Sequence, residues 1–342
     1  MSKVVDHLAE LTGFRDRDVL DTTLAGALRD LLQPQRVAIH RCVGEESDRR
    51  WLTRARLEAT EAAASADPLW VEFDSLPLMD DFPARITAIE THEMVCVAGS
   101  PHITVFPLFT DRDVAGVVEV ESVDPLDAEQ QRLVASILRI YRNFQSLLDY
   151  SERDTLTGLL NRKTFDEAFY KLSGQSTEGM TTTSGERRLK AAAQTHYIGV
   201  LDIDHFKSVN DTYGHLIGDE VLLLLSRLMR SCFRYHDRLY RFGGEEFVVL
   251  MRCGSETDAG RALERLRNSV AAYAFPQVGR ITVSVGFTEL KTGDTPSSAF
   301  ERADKAVYWA KQHGRNQVSS HADLVRRGQL DDDSKVGDVE LF

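Results

Sequence analysis

Cysteine is scarce in this chain. Cys42, Cys96, Cys232 and Cys253 lie far apart, with no CxxC spacing among them. That leaves no zinc knuckle and no disulfide framework, and four scattered thiols suit a reducing, cytoplasmic setting. Long apolar runs are missing as well. The longest, Val221 to Leu225, is far short of the roughly 20 residues that span a bilayer. The opening stretch MSKVVDHLAELTGFRDRD has no uncharged apolar segment of the kind that marks a secretory leader. No segment carries a basic stripe: 41 Lys and Arg stand against 53 Asp and Glu, a net charge of −12. A duplex nucleic acid is therefore not the expected partner.

The negative charge is concentrated at the front. Residues 1–150 hold 15 basic and 26 acidic side chains, while the rest of the chain is almost balanced at 26 and 27. With 342 residues and 42% hydrophobic content, two domains of ordinary size are expected. Residues 1–126 read as an α+β domain. Apolar spacing predicts helices over 2–12 and 16–33, strands over 36–43 and 51–57, and a hairpin made of 102–109 and 114–121.

Residues 127–153 contain no glycine or proline and repeat apolar residues at threes and fours (Leu133, Ile137, Ile140, Phe144, Leu147, Leu148). Asp127 with Gln130 three residues on forms a capping box. The expectation is a long helix that leaves the front domain and pairs with its twin as a coiled coil. A helix packed on its own sheet is the alternative.

Residues 154–320 form the second domain, in which 171–195, rich in Ser, Thr and Gly and poor in large apolar residues, reads as a flexible insertion. The remaining order is a strand at 197–203, a polar segment at 205–215 and a helix at 218–233. A hairpin at 238–250, a helix at 258–274, a strand at 281–288 and a helix at 296–313 follow. Strand–helix–strand–strand–helix–strand is the ferredoxin-like order, with its sheet covered by helices on one face. Residues 321–342 read as a disordered acidic tail.

The chemistry gathers at YRFGGEEFVVL, residues 240–250. Taken alone, the two glycines make a hairpin turn with solvated glutamates at its tip. In the ferredoxin-like order, however, the end of strand 197–203 lies beside that tip, so Asp202 would face Glu245. Paired carboxylates and a strand-end carbonyl suit one or two Mg²⁺ ions. Backbone amides of residues 204–207 could cradle phosphate oxygens. Lys207, Lys311 and Arg315 offer countercharge, while Asn210 and Asp219 offer groups that read a base edge. These residues point to a metal-dependent nucleotide enzyme. His205 and His215 read as loop-orienting residues, and Tyr308 and Trp309 as packing.

Five separated motifs, DTLTGLLNR (154–162), LDIDHFKSVNDTYGHLIGDE (201–220), RFGGEEF (241–247), TVSVGFTE (282–289) and ADKAVYWAKQHGRN (303–316), resemble the diguanylate cyclase (GGDEF) family in its GGEEF variant. The resemblance implies condensation of two GTP into cyclic di-GMP, with Mg²⁺ or Mn²⁺, two ions per site, in a homodimer. It implies that Asp202, the Ile203 carbonyl and Glu245 hold metal, and that Glu246 supports the metal or activates the 3'-hydroxyl. Phe206, Lys207, Gly243, Gly244, Lys311 and Arg315 would surround the triphosphate, and Asn210 and Asp219 would bind guanine. Arg234 and Asp237, an RxxD pair, match the family's inhibitory site for cyclic di-GMP. The front domain resembles the GAF family, and more weakly the PAS family, and would sense an unidentified ligand or partner. The alternatives are a non-catalytic cyclic di-GMP receptor and a GTP-binding scaffold.

Overall fold

In the computed structural model, residues 2–13, 17–44, 48–67, 71–109, 114–178 and 195–331 are described. They form two units, Met1–Ser151 and Glu152–Phe342.

The front unit is built on five antiparallel strands: β1 (Arg36–Val43), β2 (Arg50–Glu58), β3 (Val95–Val97), β4 (His102–Phe109) and β5 (Val114–Ser122), in the order β2-β1-β5-β4-β3. Because side chains alternate across a strand, Val37, Ile39, Val118 and Val120 share one face. They pack with Leu20, Leu24 and Leu28 of α2 (Arg17–Leu32) and with Leu11 of α1 (Ser2–Gly13). The opposite face carries Val105 and Val117 against Ala88 and Ile89 of α3 (Pro83–Thr91). Between β2 and α3 lie two short 3₁₀ turns, Phe73–Ser75 and Met79–Asp81.

The capping box is present at the start of α4 (Ala128–Glu152). Asp127 Oδ1 accepts from the amides of Glu129 and Gln130 at 2.8 Å, and Gln130 Oε1 accepts from the Asp127 amide at 2.9 Å. The helix does not leave its domain. Val134, Ile137, Leu138, Tyr141 and Leu148 are buried in the same core as α1 and α2. Tyr141 also donates to the buried Asp21 carboxylate of α2, which takes a further bond from Arg41 at 3.0 Å. The apolar stripe is thus spent within one chain, except toward its end, where Leu147 is 66% and Tyr150 78% exposed.

The back unit opens with a turn, the short β6 (Leu160–Asn161) and α5 (Arg162–Glu178), which continues into the stretch read as an insertion. Most of that insertion, 179–194, lies outside the described residues. The core elements are β7 (Thr195–Ile203), α6 (Phe206–Tyr213), α7 (His215–Cys232), β8 (Arg238–Gly243), β9 (Glu246–Cys253), α8 (Glu256–Ala272), β10 (Val283–Glu289), α9 (Pro296–Gln312) and β11 (Val318–Ser320). The sheet order β11-β10-β7-β9-β8-β6 contains the ferredoxin-like core, whose neighbouring strands are antiparallel. The segment 205–215, expected to be merely polar, holds the helix α6. Phe206 and Val209 are buried on it while Lys207 and Ser208 face water.

Helices cover both faces of this sheet, not one. Leu201, Ile203, Phe247, Val249, Val283 and Val285 pack against Val221, Leu225 and Met229 of α7 and Leu263 and Leu266 of α8. The alternate positions of β10 face α9. A Cβ on Gly286 would stand 2.2 Å from the Ala303 carbonyl oxygen and 2.4 Å from the Val307 nitrogen, so only glycine lets α9 lie this close.

The first residues of the stretch read as a disordered tail are ordered. Residues His321–Arg326 form α10, started by Ser320, whose hydroxyl accepts from the Asp323 amide. His321 and Leu324 are buried, and Arg326 pairs with Glu256 at 3.1 Å. Residues 332–342 lie outside the described residues.

Candidate active site

The register of β7 and β9 sets the geometry. Asp202 stands directly opposite Glu246, and opposed residues on neighbouring strands share a face. Glu245, which the sequence put opposite Asp202, sits one residue earlier in the turn. The β7–β9 ladder runs without a shift from Thr195–Cys253 to Asp202–Glu246, while an irregularity in the β8–β9 ladder between Arg241 and Gly243 pairs Gly243 with Glu246. Gly244 has φ of 50° and Gly243 of 143°, both in the region that side chains disfavour. No heavy atom lies within 4 Å of a Cβ built on either glycine, so the turn presents bare backbone to its surroundings.

The carboxylates crowd one another. Burial, and then the neighbouring charge, push Asp202, Glu245 and Glu246 above the ordinary carboxylate range. Asp202 raises both glutamates, and Asp304 adds to Glu246 and to Asp202. Opposing them is Lys311, whose Nζ lies 2.7 Å from Asp202 Oδ1. Lys311 follows Asp304 by seven residues on α9, two turns on, so both present to the same side. Asp304, itself pushed up by burial, is a member of this cluster that sequence reasoning missed. Its one signal was that spacing to Lys311.

The neighbouring Asp204 has a different part. It is buried, and its carboxylate accepts from Thr282 Oγ1 at 2.6 Å, Ser284 Oγ at 2.7 Å and the Asn316 amide at 3.0 Å. Its own amide donates to the Thr282 carbonyl at 2.9 Å. Asp204 therefore ties the end of β7 to β10 and to the turn after α9, and its amide cannot join a phosphate cradle. His205, with φ of 60°, turns the chain into α6. The first-turn amides of that helix, at Phe206 and Lys207, are donors the helix itself leaves unused. The Phe206 ring is in the core, so only its backbone can serve an anion, whereas the Lys207 side chain is exposed.

Asn210 and Asp219 come from the adjoining helices α6 and α7. Gly218 makes their approach possible: a Cβ there would be 2.0 Å from Asn210 Oδ1. Arg315, exposed and with φ of 60°, lies in the turn after α9. Trp309 stacks on His313 with centroids 4.0 Å apart.

A second side chain the sequence did not single out braces the turn. Arg241 donates to the Gly244 carbonyl from Nε at 3.1 Å and Nη2 at 2.8 Å, and from Nη1 to Asp154. Asp154 also accepts from the amide and hydroxyl of Thr157. Burial works to raise the Asp154 carboxyl, but these hydrogen bonds outweigh it and hold it below the usual range.

Arg234 and Asp237 lie in the loop between α7 and β8, at the far end of β8 from the glycine turn. The six residues of β8 separate them from it by roughly 20 Å. Asp237 Oδ2 accepts from the Arg234 amide at 2.9 Å and the Asp237 amide donates to the Arg234 carbonyl at 3.0 Å. The pair closes a tight turn and leaves Arg234 exposed.

Among the described residues no three His, Cys, Asp or Glu groups gather closely enough to cage a metal ion by themselves. One or two carboxylates and a backbone carbonyl, completed by water and phosphate oxygens, is the donor set Mg²⁺ takes when it arrives with a nucleotide. Asp202, Glu245 and the Ile203 carbonyl fit that pattern, and their anionic crowding favours a cation.

Comparison with known proteins agrees in extent with this unit. Residues 151–317 match the family model described as diguanylate cyclase, GGDEF domain. Diguanylate cyclase DgcM of Escherichia coli K12 is 37% identical over 186 residues, covering 54% of this chain and 42% of DgcM. Diguanylate cyclase A of Treponema denticola is 35% identical over 194 residues, covering 54% of this chain and 48% of its own. The chain thus spans about half the length of these relatives, or less. The solved coiled coil and GGDEF domain of DgcB from Caulobacter crescentus, in complex with c-di-GMP, is 30% identical with a TM-score of 0.48. The match covers 56% of this chain and 97% of that one.

Proposed function

We propose, from the match of residues 151–317 to the GGDEF diguanylate cyclase domain model, that this chain condenses two GTP into cyclic di-GMP as a Mg²⁺-dependent homodimer. The observation that carries the reading is the pairing of Asp202 with Glu246 beside a bare glycine turn. Asp202, the Ile203 carbonyl and Glu245 are the ligands for Mg²⁺, which when bound neutralises charge on the phosphates and eases ionisation of the attacking hydroxyl. The amides at the start of α6 and the side chains of Lys207, Lys311 and Arg315 hold the triphosphate, and the Gly243–Gly244 backbone lies along it. Asn210 and Asp219 read the guanine edge.

Each chain holds one nucleotide. The 3'-hydroxyl of one GTP attacks the α-phosphorus of the other, its proton passing toward Glu246, while the bond to the leaving pyrophosphate breaks. A second attack in the opposite sense closes the ring. Alignment of two half-sites supplies most of the acceleration. The exposed Leu147 and Tyr150 at the end of α4 offer one contact for pairing the chains.

Arg234, exposed at the closed Arg234–Asp237 turn, is the residue through which product inhibits the enzyme. The front unit is a GAF-like sensory domain that sets activity.

The test is incubation of purified protein with GTP and Mg²⁺. Cyclic di-GMP and pyrophosphate appear, and neither appears with Asp202→Ala or Glu246→Ala. A wild-type dimer that makes no product would sink the proposal. With Arg234→Ala, product accumulates past the level at which wild type stalls; equal levels would remove the inhibitory role.

A further inference from the structure

The flank of α4 that faces β4 is open. A cleft of about 560 Å³ lies between them, inside the range of ~300–1,000 Å³ in which small-molecule sites fall. Phe106 and Leu108 of β4 and Met94 form its apolar floor, and Leu138 of α4 contributes to a side wall. At one end His92 stacks on Phe109, with ring centroids 4.6 Å apart and planes 15° from parallel.

The rim is cationic. Arg132, Arg139 and Arg142 line the cleft, and steps of seven and three residues put all three along one side of a helix. Among the described residues no acidic side chain lines the cleft and none of these guanidinium groups has a carboxylate partner. This runs against the rest of the domain, where acids outnumber bases by 26 to 15 over residues 1–150. Elsewhere in the unit Arg17, Arg36, Arg41, Arg50, Arg54 and Arg85 are all paired with carboxylates. Three unneutralised charges at the mouth of an apolar floor repel one another, and an anion whose remainder is apolar relieves both features at once.

We propose that this cleft binds an organic anion with an apolar body, its carboxylate, sulfonate or phosphate on the three arginines and its aliphatic or aromatic part over Phe106 and Leu108. The cleft is too small and too apolar at its floor for a nucleic-acid duplex. The occupied helix α4 ends at Glu152, two residues before the Asp154 that braces the glycine turn through Arg241. Any effect of the ligand on cyclase rate rests on the proposed function; its binding does not.

The full-length protein is titrated with anilinonaphthalene sulfonate, read by fluorescence. Saturable one-to-one binding is expected, displaced by dodecanoate but not by dodecyltrimethylammonium. Arg139→Ala weakens it about tenfold, close to 1.4 kcal/mol, and the Arg132→Ala/Arg139→Ala/Arg142→Ala protein loses it while keeping wild-type circular dichroism and Tm. Unsaturable binding, equal displacement by the cationic amphiphile, or indifference to the triple substitution would overturn the proposal. So would sedimentation showing that the triple variant turns a dimer into monomers, since the cleft would then belong to a second copy. Cyclase rate with and without dodecanoate is measured alongside; a protein that binds the probe but makes no cyclic di-GMP would sink the proposed function and leave the binding site standing.

Discussion

Arg241 and Asp154, 87 residues apart in the chain, are joined by two hydrogen bonds of 3.0 and 3.2 Å, and the same guanidinium holds the carbonyl of Gly244. The turn that presents Glu245 and Glu246 is therefore positioned by the first residues after α4. Glycine at two successive positions makes the turn possible, and Arg241 makes it one conformation.

Removing that brace should loosen the turn. Arg241→Ala leaves the partly buried Asp154 short of a charged donor, a loss of about 2 kcal/mol. A fall in Tm of roughly 4–8 °C is expected for a unit of this size. Cyclase activity should fall at least tenfold, with Asp154→Asn showing a similar loss and the double variant adding little to either. Independent, additive losses in a double-mutant cycle would contradict the coupling.

The crowded carboxylates predict an inverted pH dependence for the ligand-free protein. Asp202, Glu245 and Glu246 are raised above their ordinary values. Between the ordinary carboxylate value and the raised ones, the folded chain binds more protons than the unfolded chain. These groups therefore favour folding at the acid end of that window and lose the contribution as pH rises through the raised values. Tm measured across this window should slope downward with pH from these groups, and Asp202→Asn should flatten the slope. Millimolar Mg²⁺ with GTP should raise the wild-type Tm at neutral pH and that of Asp202→Asn by much less. Equal shifts in the two proteins would place the cation elsewhere.

Gly218→Ala tests the proposed guanine-reading role of Asn210 and Asp219. Alanine is favoured in a helix, but its Cβ would overlap Asn210 Oδ1 and turn that side chain away. KM for GTP should rise about tenfold, the scale of one lost bidentate base contact, with Tm within about 2 °C of wild type. An unchanged KM would remove Asn210 from the base site.

Gly286→Ala acts on α9. The added methyl meets helix backbone, not a movable side chain, and overpacking of this kind costs about 1–3 kcal/mol. Because α9 carries both Asp304 and Lys311, activity should fall more steeply than Tm alone accounts for, and the Mg²⁺ response should weaken. A stable variant with normal activity would show that α9 can shift without disturbing the site.

Much of this was legible along the chain because it is encoded locally. Asp127 and Gln130 specify the start of α4 within one turn of helix. Alternation in Val283 to Phe287 marks a strand, though not that both its faces are covered, and Gly243-Gly244 needs no distant partner to form a turn. The helix α6 escaped notice because its composition is polar and only Phe206 and Val209 mark its inner face. The helix α10 escaped because it is only six residues long, and the contacts of Ser320 and Arg326 with Glu256 that hold it span 64 and 70 residues.

What the glycine turn does was half visible. Two acids after two glycines, an aspartate at a strand end and a lysine on the last long helix were all readable from order and residue type, as was the ferredoxin-like arrangement that brings them together. The sequence by itself determined which groups meet, because strand order follows from the succession of elements. The tertiary structure alone decided how they meet. Asp202 faces Glu246 and not Glu245 because the β7–β9 ladder runs unbroken from Thr195–Cys253 to Asp202–Glu246, and register has no signature in local periodicity. It likewise decided that α4 spends its stripe at home, that Asp304 joins the acidic cluster and that Arg241 locks the turn, since each depends on contacts the chain makes only after it has folded.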